Sequence, residues 1–203
     1  KRQVMTGSLR VGAVTGLTWD PLVDALAVMH DSHPGIDVRL IEGLSDDLMR
    51  AVRDGGLDVA VAGWAGDAPA DLLTRVIVED ALCAVLAPDH PWASSTTLDT
   101  AQLLTADLIS LPVGTGARTA LDAAAARIGM TATPRWEVTT PAQVSLLARR
   151  GIGVGALSEN TAAGFDGIVA VPLADAAARS SLGVVSRRDP SAAAQAFRSL
   201  LRL

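Results

Sequence analysis

The strongest constraint on the fold of this 203-residue chain is an order of strand-like and helix-like segments that occurs twice, about a hundred residues apart. Apolar runs of strand length begin near residues 9, 36 and 57 in the first copy and near residues 108, 135 and 153 in the second. The runs of the first copy are largely apolar at both odd and even positions, which is typical of strands covered on both faces. Alternating strands and helices predict parallel sheets with right-handed crossovers. The repetition therefore predicts two similar α/β lobes.

Strand-like segments outside the two copies indicate how the lobes are connected. Two such segments, at 73–78 and 81–87, lie between the copies, and two more follow the second copy. If these last segments and the closing helix rejoin the first lobe, the second lobe is an insertion and two chain crossings link the lobes. The sequence then predicts lobe I from residues 7–86 and 168–203 and lobe II from residues 87–167, with a hinged cleft between them.

Composition favours a soluble globular protein that has no nucleic-acid-binding surface of its own. The chain is 49% hydrophobic, and its longest apolar runs fall far short of the roughly 18 residues that span a membrane. Residues 1–4 lack the apolar stretch of a secretory signal. The net charge is −5 without a basic cluster, so these residues are not expected to bind DNA, RNA or a membrane. The single cysteine, Cys83, allows no internal disulfide, and we expect a cytoplasmic protein.

Each copy contains a polar, glycine-containing corner between its first strand and the helix that follows, at residues 15–18 and 113–116. Open α/β sheets bind ligands at the carboxyl ends of their strands, where helix N-termini point. Free N–H groups and the helix dipole suit a carboxylate or phosphate there, and threonine hydroxyls add donors. The alternative is that these threonines and glycines only cap helices and form turns. The residues alone leave both interpretations open.

Three residues beside the corners have the same ambiguity. Arg118 could neutralise an anion from the second helix, or it could be a solvated surface residue. Trp19 and Trp64 could face a ligand, or they could pack in the core or between the lobes.

Other chemistry-bearing residues have simpler interpretations. The glycine-rich run at 151–155 follows a helix and precedes a strand, the reverse of a dinucleotide-binding loop, so Gly151 is interpreted as a helix C-cap. His30 and His33 lie where a helix ends, and no metal site is expected there. Cys83 is expected to be a small buried hydrophobic residue. No catalytic motif is present, so neither enzymatic activity nor a cofactor is expected.

Short motifs in a fixed order run through almost the whole chain. They are GSLRVG at 7–12, HPGI at 33–36, EG at 42–43, GLDVAV at 56–61, PDHPWA at 88–93, ARRGIGVGALS at 148–158, RR at 187–188, and Phe197. In this order and spacing they resemble the effector-binding (co-inducer) domain of LysR-type transcriptional regulators. The chain departs from the family pattern at Trp92, Ala148 and Ser158, which stand where the family has Leu, Val and Pro. These departures affect packing and loop geometry rather than the cleft.

The resemblance implies a type 2 periplasmic-binding-protein-like fold, in which two Rossmann-like lobes are joined by two crossing strands. It also implies that a small effector, often an organic acid or a metabolite of the regulated pathway, binds in the cleft and controls DNA binding and transcription. The effector-contacting residues implied by position are Thr15, Gly16, Thr18, Gly63, Trp64, Val113, Gly114, Thr115 and Thr139.

The resemblance also implies partners. Members of the family carry an N-terminal winged helix-turn-helix domain and a linker helix, whereas this sequence begins where the effector domain would. DNA contact is therefore expected only through that absent domain. The apolar stripe of the first helix, with Val23 and Ala27 beside it, is wider than one sheet contact needs. Because similar domains pair antiparallel through this helix, we expect a homodimer, and a tetramer for the full-length protein.

Two other functions fit the same fold. A solute-binding protein of a transporter would need export. An enzyme such as a dehydratase or lyase would need a general acid or base in the cleft, where the corners supply only Thr, Gly and Arg118.

Overall fold

The computed structural model describes residues 5–201, and all structural statements below refer to them. The described helices and strands alternate along most of the chain. In chain order they are β1 (Gly7–Val14), α1 (Asp20–Ser32), β2 (Ile36–Gly43), α2 (Ser45–Arg53), β3 (Val59–Trp64), β4 (Leu73–Leu86), α3 (Thr100–Leu103), β5 (Leu108–Ser110), α4 (Gly116–Arg127), β6 (Trp136–Glu137), α5 (Pro141–Arg149), β7 (Val154–Ser158), α6 (Glu159–Ala162), β8 (Val169–Pro172), β9 (Arg179–Ser186) and α7 (Ala192–Leu200).

The chain divides into two compact units. Within the described residues, unit 1 comprises 5–62, Asp67–Ile77 and 182–201, and unit 2 comprises Gly63–Gly66 and Val78–Ser181. Three boundaries between the units fall inside β3, β4 and β9, so each of these strands contributes residues to both units. The sequence predicted boundaries after residues 86 and 167, which would separate β7 from β4, whereas the division after 77 and 181 keeps β7 with the β4 residues that it pairs with.

Unit 1 is built around a parallel sheet. Strand β1 lies between β2 and β3 and pairs in parallel with both, which confirms the predicted parallel pairing. The expectation that the run at 36–41 is covered on both faces is wrong, because β2 is an edge strand and most of its residues are exposed. Helix α1 buries Leu22, Ala25 and Met29 on one face, a spacing that places side chains on a single stripe. This stripe and Phe197 of α7 pack in the core of the unit. The packing fixes α1, and with it the corner that precedes α1.

Unit 2 contains the second copy of the repeat. Strand β5 pairs in parallel with β6 and β7, and β4 pairs antiparallel with β7 and β8. Helix α4 buries Ala120, Leu121, Ala124 and Ala125 in the apolar core of the unit. The parallel strands again bring their carboxyl ends to one edge, where α4 and α5 begin.

The prediction of two separate strands at 73–78 and 81–87 is wrong, because these residues form one continuous strand, β4. The polar pair Glu79 and Asp80 suggested a break. In the structure Arg179 of β9 donates a hydrogen bond to Glu79, and the main-chain N–H of Asn160 donates to Asp80. Partners on distant segments therefore satisfy the two carboxylates within the strand.

Candidate functional site

The corner of unit 1 is a tight turn between β1 and α1. The Thr15 N–H donates to the Gly43 carbonyl over 3.1 Å, which ties the corner to the end of β2. The Leu17 N–H turns back to the Val14 carbonyl over 3.0 Å. Gly16 has a φ of 80°, a left-handed conformation that glycine adopts without steric cost. The turn therefore explains the glycine, and the main chain holds Thr15 in place.

The hydroxyl groups of this corner are not used by the fold. Thr15 is half-buried and Thr18 is exposed, and neither side chain makes a hydrogen bond to any residue between 5 and 201. Helix α1 begins after Trp19 without a side-chain cap. In the first turn of α1, Pro21 has no N–H and the Leu22 N–H donates to the Trp19 carbonyl over 3.0 Å. The helix start therefore offers the positive end of the helix dipole but few free N–H groups. Unit 1 therefore presents two unengaged hydroxyls beside an uncapped helix start.

The corner of unit 2 uses its threonine differently. Thr115 is the N-cap of α4: its hydroxyl donates to the Pro112 carbonyl over 2.9 Å and accepts the Arg118 N–H over 3.4 Å. Gly114 has a φ of 95°, whereas Val113 is 65% exposed. The capping interpretation therefore describes the Thr115 side chain in this structure. The first-turn N–H groups of α4 other than that of Arg118 remain as donors at this corner.

Gly63 and Trp64 lie against this second corner. A β-carbon on Gly116 would come 2.9 Å from the Trp64 nitrogen and 3.0 Å from the Gly63 carbonyl carbon. The first distance is shorter than real β-carbons show and the second is at that limit, and both neighbours are main-chain atoms. A side chain at position 116 would therefore require the start of α4 or the main chain at 63–64 to move. Trp64 itself is buried, with 6% of its surface exposed. The sequence identified Gly116 as part of the corner but did not include it among the contact residues.

Thr139 lies at the same edge of the sheet of unit 2. The Val138 N–H donates to the Ser110 carbonyl over 3.0 Å, which places the residues after β6 beside the end of β5. The hydroxyls of Thr139 and Thr140 both donate to the Gln143 side-chain oxygen, over 3.4 and 3.3 Å. Thr140 also caps α5. Thr139 is exposed, and its hydroxyl makes only this long hydrogen bond to Gln143 of α5 among the described residues.

Arg118 is neither a solvated surface residue nor an unpaired cation. Its side chain is 10% exposed, and its guanidinium donates to Asp122 over 3.0 Å and to Glu137 over 3.2 Å. A further, longer bond of 3.4 Å reaches the Leu111 carbonyl. Two carboxylates more than balance its charge, so the second corner has no net positive charge from this network. Glu137 is 19 residues from Arg118, and the sequence contains no local signal for this pair.

The remaining sequence candidates have structural roles. Gly151 has a φ of 69°, and its N–H donates to Ala148 while that of Ile152 donates to Leu147. This pattern is a Schellman motif, so the C-cap interpretation is confirmed. Burial raises the pKa of the Cys83 thiol to about 12, which leaves it unreactive at neutral pH. No group of three metal-ligating side chains occurs among the described residues.

Comparison with known proteins gives the family. The family model described as the LysR substrate binding domain matches residues 2–203. The chain belongs to the LysR substrate-binding domain family. The LysR domain is 25% identical over 160 residues to the HTH-type transcriptional regulator ShiR of Corynebacterium glutamicum strain R, covering 77% of this chain and 54% of that protein. It is 26% identical over 192 residues to the HTH-type transcriptional regulator MetR of Escherichia coli K12, covering 79% of this chain and 57% of MetR. The chain thus spans little more than half the length of these relatives.

Solved structures show the same fold. The effector-binding domain of QuiR in complex with shikimate matches with a TM-score of 0.76 at 15% identity, covering 97% of this chain and 96% of that one. The BenM effector-binding domain with its effector benzoate matches with a TM-score of 0.72 at 16% identity, covering 97% of this chain and 90% of that one. The predicted periplasmic-binding-protein-like α/β fold is confirmed by the family match and these structures. No described helix of the LysR domain is long and apolar enough to cross a membrane.

Proposed function

We propose that this LysR domain is the sensor of a bacterial transcriptional regulator that acts in the cytoplasm, and that it binds a small organic acid. The family match supports a ligand-binding role, and the relatives ShiR and MetR are named HTH-type transcriptional regulators. The observation that carries the proposal is the pair of unengaged hydroxyls, Thr15 and Thr18, beside the uncapped start of α1. A catalytic role is not proposed.

We propose that the corner residues contact the effector. The proposed contact residues are Thr15, Gly16, Thr18, Gly63, Trp64, Val113, Gly114, Thr115 and Thr139. Their contributions differ in kind. Thr15 and Thr18 supply hydroxyls, whereas Thr115 supplies a main-chain position because its own hydroxyl is bonded to Pro112.

The charge distribution limits the chemistry of the effector. The guanidinium of Arg118 is already paired with Asp122 and Glu137, so a carboxylate gains no free counter-charge from it. Helix N–H groups, the helix dipoles and hydroxyls suit a compact anion. A monocarboxylate with further hydrogen-bonding groups fits this arrangement better than a phosphate ester of high charge.

Regulation follows if the effector has different affinities for two conformations of the domain. Only such a difference shifts the population of conformations, and the shift then alters DNA binding through a separate DNA-binding domain. The net charge of −5 supports DNA contact by another part of the protein.

The effector proposal is tested by thermal unfolding in the presence of small carboxylates, including benzoate and shikimate. A compound at one hundred times its Kd adds about 2.7 kcal/mol of stability, which raises the Tm of a domain of this size by about 5 to 10 °C. Thr15→Val and Thr18→Val should each reduce the shift. Thr131→Val is the matched control, because Thr131 is exposed and outside both corners.

Two results would contradict the effector proposal. One is the absence of stabilisation by any compound in a broad carboxylate panel. The other is full stabilisation of a double variant that carries both Thr15→Val and Thr18→Val.

We further propose that the domain forms a homodimer through α1, as part of a tetramer in the full-length regulator. Helix α1 packs against β2, which is an edge strand. Together they expose four large apolar side chains: Val23 at 62%, Val28 at 42%, Leu40 at 47% and Ile41 at 52%. An exposed edge strand that carries apolar side chains offers a surface for pairing with another chain.

The dimer proposal is tested by sedimentation equilibrium. Val23→Asp should convert a dimer into a monomer without loss of the folded state, because the side chain is exposed. Ile128→Asp, which alters an exposed side chain in unit 2, is the control and should leave the dimer intact. A wild-type domain that is monomeric at micromolar concentration would contradict the proposal.

A further inference from the structure

We propose that unit 2 contains a second ligand site, separate from the corner, for a small aromatic compound that carries a hydrogen-bond donor and no negative charge. The site is a pocket of about 270 Å³. The residues that define it are His90, Trp92, Asp107, Ile152, Gly153 and Val154.

The pocket lies at the opposite ends of the strands from the corner of unit 2. Asp107 directly precedes β5, and Gly153 directly precedes β7. These two strands are parallel, so the pocket is at their N-terminal ends, whereas the corner at 113–116 follows the C-terminal end of β5. Three residues of β5 separate the two places, a rise of roughly 10 Å. A ligand in the pocket therefore does not compete for space with a ligand at the corner.

The floor of the pocket is preformed. The Val154 N–H donates to the Asp107 carbonyl over 3.0 Å. A β-carbon on Gly153 would lie 2.1 Å from the same carbonyl oxygen, so the two main-chain segments touch. The Schellman motif at Gly151 and Ile152 holds the loop that enters from α5. The main chain therefore has little freedom to collapse into the pocket.

One wall is also held in place. The Trp92 N–H donates to His90 Nδ1 over 3.1 Å, and the two rings meet edge to face with centroids 5.0 Å apart. Because Nδ1 accepts this bond, a neutral His90 carries its proton on Nε2, which can donate to a ligand. The wall thus combines an aromatic surface with one positioned polar nitrogen.

The lining selects the class of ligand. Trp92 and Ile152 provide apolar surface, and Ile152 is 40% exposed. The pocket is open to solvent on one side, and its volume of about 270 Å³ leaves room for one ring with a short substituent. No lysine or arginine lines the pocket. Asp107 supplies a carboxylate, of which Arg135 binds one oxygen over 3.0 Å. A donor-bearing neutral or cationic ring matches these groups, and an aromatic carboxylate does not.

The experiment is a titration followed by amide and indole NMR of the 20.9 kDa domain. Tyramine is the probe, and 3-(4-hydroxyphenyl)propionate is the matched anion of similar size. We expect tyramine to give saturable shifts at the Trp92 indole and at residues 151–154, with the anion binding at least fivefold more weakly. Shifts that map elsewhere, that do not saturate, or that are equal for the two probes would overturn the proposal.

Two variants test the two parts of the recognition. Ile152→Ala removes an exposed apolar wall and should weaken tyramine binding several-fold, whereas Ile128→Ala, a similarly exposed isoleucine outside the pocket, should not. Asp107→Asn should remove the preference for tyramine over the anion. Retention of the full preference would show that the carboxylate does not recognise the ligand. A Thr15→Val variant should bind tyramine normally, which separates this proposal from the effector proposal.

Discussion

The close approach of Gly116 to the Gly63 and Trp64 main chain makes a quantitative prediction for Gly116→Ala. The new β-carbon would lie 2.9 Å from the Trp64 nitrogen, and 3.0 and 3.2 Å from the carbonyl and α-carbons of Gly63. All three neighbours are main-chain atoms, so no side-chain rotation relieves the overlap and the start of α4 must move. Overpacking of this kind costs about 1 to 3 kcal/mol. Alanine regains up to about 1 kcal/mol over glycine in a helix, and less in its first turn.

The net expectation for Gly116→Ala is a loss of about 1 to 2 kcal/mol in the free energy of unfolding. This loss corresponds to a fall in Tm of about 2 to 8 °C for a domain of this size. Urea unfolding and calorimetry measure both quantities. Gly164→Ala is the control, because its nearest neighbour, the Thr161 carbonyl oxygen, lies at an ordinary 3.4 Å. It should change stability by less than about 0.5 kcal/mol.

The result that would refute the reasoning is a Gly116→Ala protein as stable as the wild type or more stable. Such a result would mean that α4 does not begin against the Gly63 and Trp64 main chain. The Trp64 indole signal in an NMR spectrum provides a second readout, since a shift of α4 should move it and the Gly164→Ala control should not.

Three further predictions concern the core and its buried polar groups. Phe197→Ala should cost about 3 to 5 kcal/mol in urea unfolding, because Phe197 is fully buried in unit 1; a loss below 1 kcal/mol would contradict that packing. Asp58→Asn should lower the urea midpoint by more than Asp37→Asn, because buried Asp58 accepts three hydrogen bonds from Arg10, whereas Asp37 pairs at the surface. Burial raises the pKa of the Cys83 thiol from 9.0 to about 12, so the folded state favours the protonated thiol. The contribution of the thiol to the free energy of unfolding is complete below pH 9 and falls by about 1.4 kcal/mol per pH unit between pH 9 and 12. Cys83→Ala should flatten that part of the stability curve, and a curve identical to the wild type would show that the thiol is not the titrating group.

The alkaline range suits the Cys83 measurement because of the composition of the chain. The sequence contains no tyrosine and a single lysine, so few other side chains titrate between pH 9 and 12. Thiol labelling at pH 8 is an independent check, and it should be slow in the folded protein and fast after unfolding in urea.

Periodicity was sufficient to predict the longer helices and most strands of the LysR domain, whereas the four-residue helices α3 and α6 were not predicted. The stripe of Leu22 and Met29 indicated α1, and the doubly apolar runs indicated the parallel strands β1 and β3. These patterns are local, since a helix or strand face is set by spacing within one segment. The continuity of β4 was missed because the partners of Glu79 and Asp80 come from residues far along the chain.

The candidate site was predicted less completely. The sequence located both corners and their left-handed glycines, Gly16 and Gly114. It could not distinguish Thr15, whose hydroxyl is unengaged among residues 5–201, from Thr115, whose hydroxyl caps α4. Both threonines follow a strand and precede a helix, so their local contexts are alike.

By itself, the sequence determined the repeated α/β order, the parallel pairing and the positions of the two corners, because spacing and turn chemistry act over a few residues. Only the tertiary structure decided which polar groups at those corners are already satisfied. Arg118 of helix α4 is paired with Glu137 of strand β6, and Gly116 lies against main chain about fifty residues earlier. Hydrogen bonds and contacts depend on the distance between residues in space, and the separation of two residues along the chain does not give that distance.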